Sequence, residues 1–157
     1  MDYNIINSAT YLIQRFHEQK EDLLELKLQK MLYFAEAFYM HSHDTKNLFK
    51  EKWLAKPNGP MNKEVHETFK NEGLPIDMKK IDFSKANYVN NELKEFLDNI
   101  FELFRSVSTS VLVELTRSDG SPWSEISKKM SGVDLLNNEN KFIIKSETKK
   151  WIGKIAR

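Results

Sequence analysis

The chain has 157 residues, no cysteine, and 24 basic against 23 acidic residues, which gives a formal net charge of +1. The length suits one domain with its own core, so we treat residues 1–157 as a single domain. The absence of cysteine excludes disulfides and thiolate metal sites. The balanced charge argues against a dedicated nucleic-acid binder, which usually carries a basic excess.

The sequence also argues against a membrane or secreted protein. No segment approaches the ~20 apolar residues that a membrane-spanning helix needs. Asp2 stands where a signal peptide would carry positive charge, and no long apolar run follows it. We therefore expect a cytoplasmic protein that makes no membrane contact.

The first two predicted helices are amphipathic and apolar, respectively. The spacing of Ile6, Ala9 and Phe16 predicts a helix from about Ile5 to Gln19. The stretch that follows at 26–40, LKLQKMLYFAEAFYM, has apolar residues at steps of three and four and no Gly or Pro. Because it is apolar on more than one flank, we predict that it is the central helix of a bundle. Its polar residues Lys30 and Glu36 are expected at the surface, either in surface ion pairs or in a contact patch for a partner.

The middle of the chain begins with a turn. Pro57-Asn-Gly59-Pro60 combines residues that favour turns, and an extended piece is expected before it. Asn62 is a candidate N-cap for a helix from Lys63 to about Asn71. The segment 75–90 is predicted to be a loop, or a short strand that pairs with the Trp53 region.

Four further helices are predicted from N-cap residues between Asn90 and Ser146. Asn90 or Asn91 caps a helix that ends near Arg105. Ser108 caps a short helix with Val111, Leu112 and Leu115 on its inner side. Ser121, followed by Pro122, begins a helix that ends near Gly132, and Ser146 caps a last helix that holds Trp151. The predicted fold is mainly α: a single compact bundle of about six or seven helices around the central helix, with room for a short β-hairpin.

The sequence contains no recognisable catalytic motif. There is no Gly-rich phosphate loop, no Cys nucleophile, no Gly-x-Ser-x-Gly and no His-Glu-x-x-His. His41 and His43 are two residues apart and would not face each other on a helix. We therefore expect no enzyme activity, no cofactor and no metal site.

Three stretches in this order resemble one known family. Lys27–Ala35 resembles the KLQKLLYFA signature of the Panacea antitoxin domain, a family also described as phage-associated or SocA-like. The turn at Ala55–Pro60 with the helix beginning Glu64-Val65-His66 is similar to its second block, an Ala-Trp-x-x-Gly-Pro turn before a Glu-Val-Tyr helix. Leu115–Trp123 resembles its third block, which ends in Pro-Trp. The resemblance covers about residues 5–155.

The chain departs from the family pattern at three positions. The Trp of the family's turn is Lys56 here, the Tyr of the second block is His66, and the His of the third is Arg117. The Gly-Pro and Pro-Trp elements are intact. The resemblance therefore still implies the fold, whereas the choice of partner is expected to differ from that of better-known members.

The resemblance implies an antitoxin of a toxin–antitoxin system that neutralises a cognate protein toxin by direct binding. The family's toxins include alarmone-synthetase-like and other translation-blocking kinds. Two alternatives stay open: an adaptor that delivers the toxin to an AAA+ protease, and a DNA-binding autoregulator. A homo-oligomer is also compatible with the sequence. The candidate partner-binding residues are Trp53, Asn58, Gly59, Pro60, His66, Arg117, Trp123 and Trp151.

Overall fold

The computed structural model describes residues 3–43, 46–50 and 53–130, together with Gly132 and the backbone of residues 141–142. Within these residues the helices are α1 (Ile5–Glu18), α2 (Glu25–Ser42), α3 (Lys63–Phe69), α4 (Asn91–Phe104), α5 (Thr109–Thr116) and α6 (Pro122–Ser127). The strands are β1 (Trp53–Lys56), β2 (Gly59–Met61) and β3 (Lys141–Phe142). The prediction of a mainly α fold with a short hairpin is confirmed.

Helix α2 is the central element of the bundle, as its sequence predicted. It contacts α1, α3, α4, α5 and β2. Leu28, Met31, Leu32 and Phe34 of this helix are fully buried. The ring of Phe34 stacks on that of Phe104 in α4, with centroids 4.9 Å apart. Aromatic pairs of this kind contribute about 0.5–1.5 kcal/mol beyond the area that they bury.

The predicted N-cap side chains fix where the later helices begin. Asn62, Ser108 and Ser121 each accept a hydrogen bond from the backbone N–H three residues later. Asn90, one of the two residues predicted for α4, does the same. Losing such a cap typically costs about 1 kcal/mol. These local signals therefore set the start of each helix in the described part of the chain from α3 onward.

The segment between α3 and α4 is helical rather than extended. It forms two 3₁₀ helices, Met78–Lys80 and Phe83–Tyr88. The side chains of Asp77 and Asp82 accept hydrogen bonds from backbone N–H groups two residues later, which favours tight turns over a strand. The predicted alternative of a strand that pairs with the Trp53 region is therefore wrong.

Helix α5 faces the core with two of the three predicted residues. Leu112 is fully buried and Leu115 packs against the core, as expected, but Val111 is 44% exposed. Val113 and Thr116 are buried as well. The helix is short and largely apolar, so its composition did not distinguish Val111 from Val113.

The hairpin is part of a three-stranded sheet with the order β2-β1-β3. Lys56 pairs with Gly59 across the hairpin, and β3 pairs antiparallel with β1 beginning at Trp53. The predicted last helix, with Ser146 and Trp151, lies outside the described residues.

Candidate functional site

The hairpin tip is where three distant stretches of the chain meet. Gly59 has a φ of +103°, which L-residues with a side chain rarely adopt. A Cβ atom at Gly59 would lie 2.7 Å from Oγ1 of Thr116 in α5 and 3.3 Å from Cε of Lys30 in α2. The hairpin can therefore approach both helices only because this residue is glycine.

Lys30 lies buried beneath the hairpin. Its side chain is 1% exposed, and its Nζ donates a hydrogen bond to the carbonyl oxygen of Pro60 at 2.7 Å. Burial lowers the pKa of Lys30 to about 7, with an opposing contribution from Glu25 and a reinforcing one from Arg117. Lys30 thus fastens β2 to α2 through an amino group that binds its proton weakly.

Gln29 holds Asn62, the residue that directly follows the hairpin. Its Nε2 donates to the carbonyl oxygen of Asn62 at 3.0 Å, and the N–H of Asn62 donates to its Oε1 at 2.8 Å. Both residues are almost fully buried. The side chain of Asn62 in turn caps α3 through the N–H of Val65. A continuous set of buried hydrogen bonds therefore connects α2, the hairpin and α3.

Helix α6 holds the other strand of the hairpin. Trp123 is 7% exposed, and its Nε1–H donates to the carbonyl oxygen of Lys56 at 2.7 Å. The guanidinium carbon of the exposed Arg117 lies 5.1 Å from the centroid of the Trp123 ring. Such a cation–π contact is worth about 0.5–1 kcal/mol at an exposed site. It positions Arg117 next to the hairpin.

A groove of about 620 Å³ opens between the hairpin, α2 and α3. Its apolar lining includes Leu26 and Met61. Its charged and titratable lining residues are Glu25, Lys30, Lys56, Lys63, His66, Glu67 and Lys70. A second groove of about 350 Å³ shares Glu25, Leu26, His66 and Lys70 with the first. The two grooves therefore adjoin each other along α3.

His66 and Glu25 join α3 to α2 where the two grooves meet. Nδ1 of His66 lies 2.6 Å from Oε1 of Glu25. The side chain of His66 is 43% exposed, whereas that of Glu25 is 15% exposed. The contact is an ion pair when the imidazole is protonated and a neutral-to-charged hydrogen bond when it is not. In either state it leaves part of the His66 ring accessible from the groove.

The exposed members of the predicted contact set surround the hairpin tip. Asn58 is exposed at the turn, Arg117 is exposed above Trp123, and His66 is half-exposed in the groove. They come from the hairpin, the end of α5 and α3, respectively. The fold thus brings three chain segments to one region of the surface.

The other predicted residues lie beneath this region or outside the described chain. The buried members are Trp53, Gly59, Pro60 and Trp123. Trp53 is 1% exposed and meets Tyr33 edge-on, with ring centroids 5.2 Å apart. These residues shape and support the hairpin. Trp151 lies outside the described residues.

The burial of two polar residues of α2 was not predicted from the sequence. Lys30 and Glu36 were expected at the surface, and this is wrong because they are 1% and 3% exposed. The carboxylate of Glu36 accepts hydrogen bonds from the backbone N–H groups of Leu48 and Phe49, at 2.5 and 2.9 Å. The available signal was their position inside a helix that is otherwise apolar on most sides, where polar groups need internal partners.

The described part of the chain offers neither a metal cluster nor a membrane-spanning helix. No group of three or more His, Asp or Glu side chains is placed there to hold a metal ion. None of the described helices combines the length and the apolar character needed to cross a membrane. The site presents grooves, charged side chains and hydrogen-bonding groups on a hairpin that buried hydrogen bonds hold in place.

The fold and the site define a small, mainly α domain whose central helix clamps a β-hairpin. The family model described as "Antitoxin SocA-like, Panacea domain" matches residues 28–124, from α2 to α6. The chain therefore belongs to the SocA-like Panacea antitoxin family, as the sequence resemblance implied. No curated protein and no solved structure gave a match.

Proposed function

We propose that this protein is an antitoxin that binds a cognate protein toxin directly and covers the surface that the toxin needs for its activity. Membership of the SocA-like Panacea family supports an antitoxin role. The observation that best supports neutralisation by direct binding is that buried hydrogen bonds hold the hairpin and helices that carry Asn58, His66 and Arg117. We call these three residues the tip surface.

The support beneath the tip surface favours tight binding. The hairpin is held to α2 by Lys30 and Gln29, and to α6 by Trp123. A surface that is already ordered loses little conformational entropy when it binds, so more of the contact energy contributes to affinity. Neutralisation by occlusion requires such a surface and no reactive group.

Arg117 is the best candidate for an anchor residue. It is exposed, but its guanidinium is held over the ring of Trp123. Arginine is enriched among the residues that dominate interface energies, and a held side chain loses less entropy on binding. The partner that we propose is a toxin that blocks translation, a class that includes alarmone-synthetase-like toxins.

The proposal is tested by co-expression with the product of the adjacent gene. We expect that product alone to arrest growth, and co-expression of this chain to restore growth. The two proteins should then elute together from a size-exclusion column in a fixed ratio. A harmless neighbour, or a toxic neighbour that is neutralised without forming any complex, would contradict direct neutralisation.

A further inference from the structure

We infer that Glu25 is a positioning residue that makes His66 a hydrogen-bond acceptor toward the toxin. Glu25 fixes the imidazole proton on Nδ1, so Nε2 of the neutral ring presents a lone pair to the partner. The toxin then places a hydrogen-bond donor, such as a hydroxyl or an N–H group, against Nε2. The identity of the partner rests on the proposed function, whereas the state of the ring rests on the contact between Glu25 and His66.

The contact between the two side chains defines which ring nitrogen carries the proton. Nδ1 of His66 lies 2.6 Å from Oε1 of Glu25. An ionised carboxylate can only accept hydrogen bonds, so Nδ1 is the donor in this contact. A neutral imidazole has one donor nitrogen and one acceptor nitrogen. The proton on Nδ1 therefore leaves Nε2 without a proton whenever the ring is neutral.

The side chain of Glu25 is held more firmly than that of His66. Glu25 is the first residue of α2, and its side chain is 15% exposed, against 43% for the side chain of His66. The N-terminus of a helix is a favourable neighbour for a carboxylate, and Lys30 of the same helix also interacts favourably with Glu25. The position of the carboxylate is therefore set by α2, and the imidazole adapts to it.

Nε2 of His66 is available to a partner. The ring lines both grooves along α3. Its two nitrogens point to different sides of the ring, so the contact at Nδ1 does not cover Nε2. Among the described residues, the imidazole makes no hydrogen bond other than the one to Glu25. Nε2 is therefore an acceptor that the described part of the chain leaves unused.

A toxin that covers His66 must supply a partner for Nε2. A polar atom that loses water without gaining a hydrogen bond weakens binding by about tenfold or more. A donor opposite Nε2 avoids this loss. A carbonyl or carboxylate oxygen at the same place would instead face the lone pair of Nε2 and would be repelled. The neutral ring of His66 therefore selects a partner that carries a donor at this point.

The state of the ring is tested by NMR on the full chain with labelled histidine nitrogens and without any partner. Long-range proton–nitrogen correlation spectra distinguish protonation on Nδ1 from protonation on Nε2. The signals that disappear in His66→Gln are those of His66. At a pH at which the spectra show this ring to be neutral, we expect the proton on Nδ1. A proton on Nε2 in the unmodified chain would overturn the inference, whether or not any variant folds.

Two further variants test whether Glu25 is the cause. In Glu25→Leu the neutral ring should lose its preference for Nδ1, so that protonation on Nε2 becomes detectable. Glu67→Leu is the matched control, because Glu67 is exposed on the same helix as His66 and lines the larger groove without bonding to the ring. It should leave the proton on Nδ1. The same spectra for both variants would overturn the positioning role of Glu25.

The contact with the toxin is tested by titration calorimetry with the purified product of the adjacent gene. The amide of glutamine reaches about as far as Nε2 and can offer its oxygen as an acceptor, whereas the shorter amide of asparagine reaches about as far as Nδ1. We expect His66→Asn to weaken binding at least about tenfold more than His66→Gln does. Equal losses, or a greater loss in His66→Gln, would overturn the contact at Nε2.

The two kinds of experiment separate this inference from the proposed function. The NMR experiment needs no toxin, so a proton on Nε2 in the unmodified chain refutes the inference and leaves the proposed function standing. If the unmodified chain does not bind the product of the adjacent gene, the proposed function fails. The contact between the toxin and Nε2 then fails with it, whereas the spectra still decide how Glu25 acts on His66.

Discussion

The Nζ of Lys30 and the carbonyl oxygen of Pro60 are joined by a hydrogen bond of 2.7 Å that fastens the hairpin to the central helix. This contact joins two stretches of the family pattern, the Gln-Lys pair in α2 and the Gly-Pro of the turn. Thr116 and Trp123, from the third stretch, complete the clamp around the same hairpin. In this chain, residues of the three stretches therefore hold the hairpin in place.

Gly59→Ala should destabilise the protein by about 1–3 kcal/mol, because the position combines a strained φ with a close approach to Thr116. Gly73→Ala is the matched control. Gly73 also has a positive φ, of +81°, but no atom of the described residues lies within 4 Å of the place that a Cβ would occupy. It should cost less, about 1 kcal/mol. Urea unfolding of both variants checks the difference, and equal losses would mean that the close approach at Gly59 is unimportant.

Gln29→Leu should cost about 1–3 kcal/mol, because it removes the acceptor of the buried Asn62 N–H and one of the two hydrogen bonds to the Asn62 carbonyl oxygen, which still accepts from the N–H of His66. Gln14→Leu makes the same chemical change on α1, at a half-buried position, and should change stability by less than about 1 kcal/mol. Thermal unfolding measures both effects. A Gln29→Leu variant as stable as the Gln14→Leu variant would show that the hydrogen bonds between Gln29 and Asn62 do not stabilise the fold.

The stability of the protein should rise with pH above about 7 because of Lys30. Burial lowers its pKa to about 7 in the folded state, from an ordinary value of 10.5. Between these values the unfolded chain binds more protons, so raising the pH favours the folded state. Below the folded pKa both states are protonated and this contribution to the slope disappears.

The measurement is urea unfolding of the unmodified chain and of Lys30→Met between about pH 7 and pH 9. The unmodified chain should gain about 2 kcal/mol more than the variant over this range. The range stops below the ordinary pKa of tyrosine because burial raises the pKa of Tyr33, which acts in the opposite direction at higher pH. Lys80→Met is the control with an exposed lysine. Parallel slopes for all three proteins would contradict a lowered pKa at Lys30.

Glu36→Gln should cost about 1–2 kcal/mol, because the carboxylate accepts two backbone hydrogen bonds that are stronger when the acceptor is charged. The amides of Leu48 and Phe49 should then exchange faster with solvent. Glu95→Gln changes an exposed glutamate and should leave both amides unaffected. Hydrogen exchange followed by NMR distinguishes the two variants. Unchanged exchange at both amides in Glu36→Gln would show that Glu36 does not hold this loop.

Much of the fold could be predicted because its signals are local. The caps at Asn62, Ser108 and Ser121 depend on residues only three positions away. The spacing of apolar residues on more than one flank of α2 also indicated that this helix is central. The contact between Lys30 and Pro60 could not be predicted in the same way, since the two residues are 30 positions apart. The apolar surroundings of Lys30 in α2 indicate burial, but they do not identify its acceptor. The exposed residues of the tip surface were found through the family pattern, and their proximity became visible only in the fold.

The tip surface is tested with a triple variant, Asn58→Ala with His66→Ala and Arg117→Ala. A control triple variant changes three exposed residues elsewhere, Asn87→Ala, His43→Ala and Lys129→Ala. Thermal unfolding of both must first show that they are folded. His66 and Arg117 each lose one side-chain contact, so only a modest fall in Tm is expected for the first variant.

The measurement that tests direct binding through the tip surface most directly is growth rescue from the adjacent gene's product by these two folded triple variants. We predict that the control restores growth and co-elutes with the toxin. The tip-surface variant should do neither. If both variants restore growth and bind the toxin equally well, the toxin is not neutralised through Asn58, His66 and Arg117.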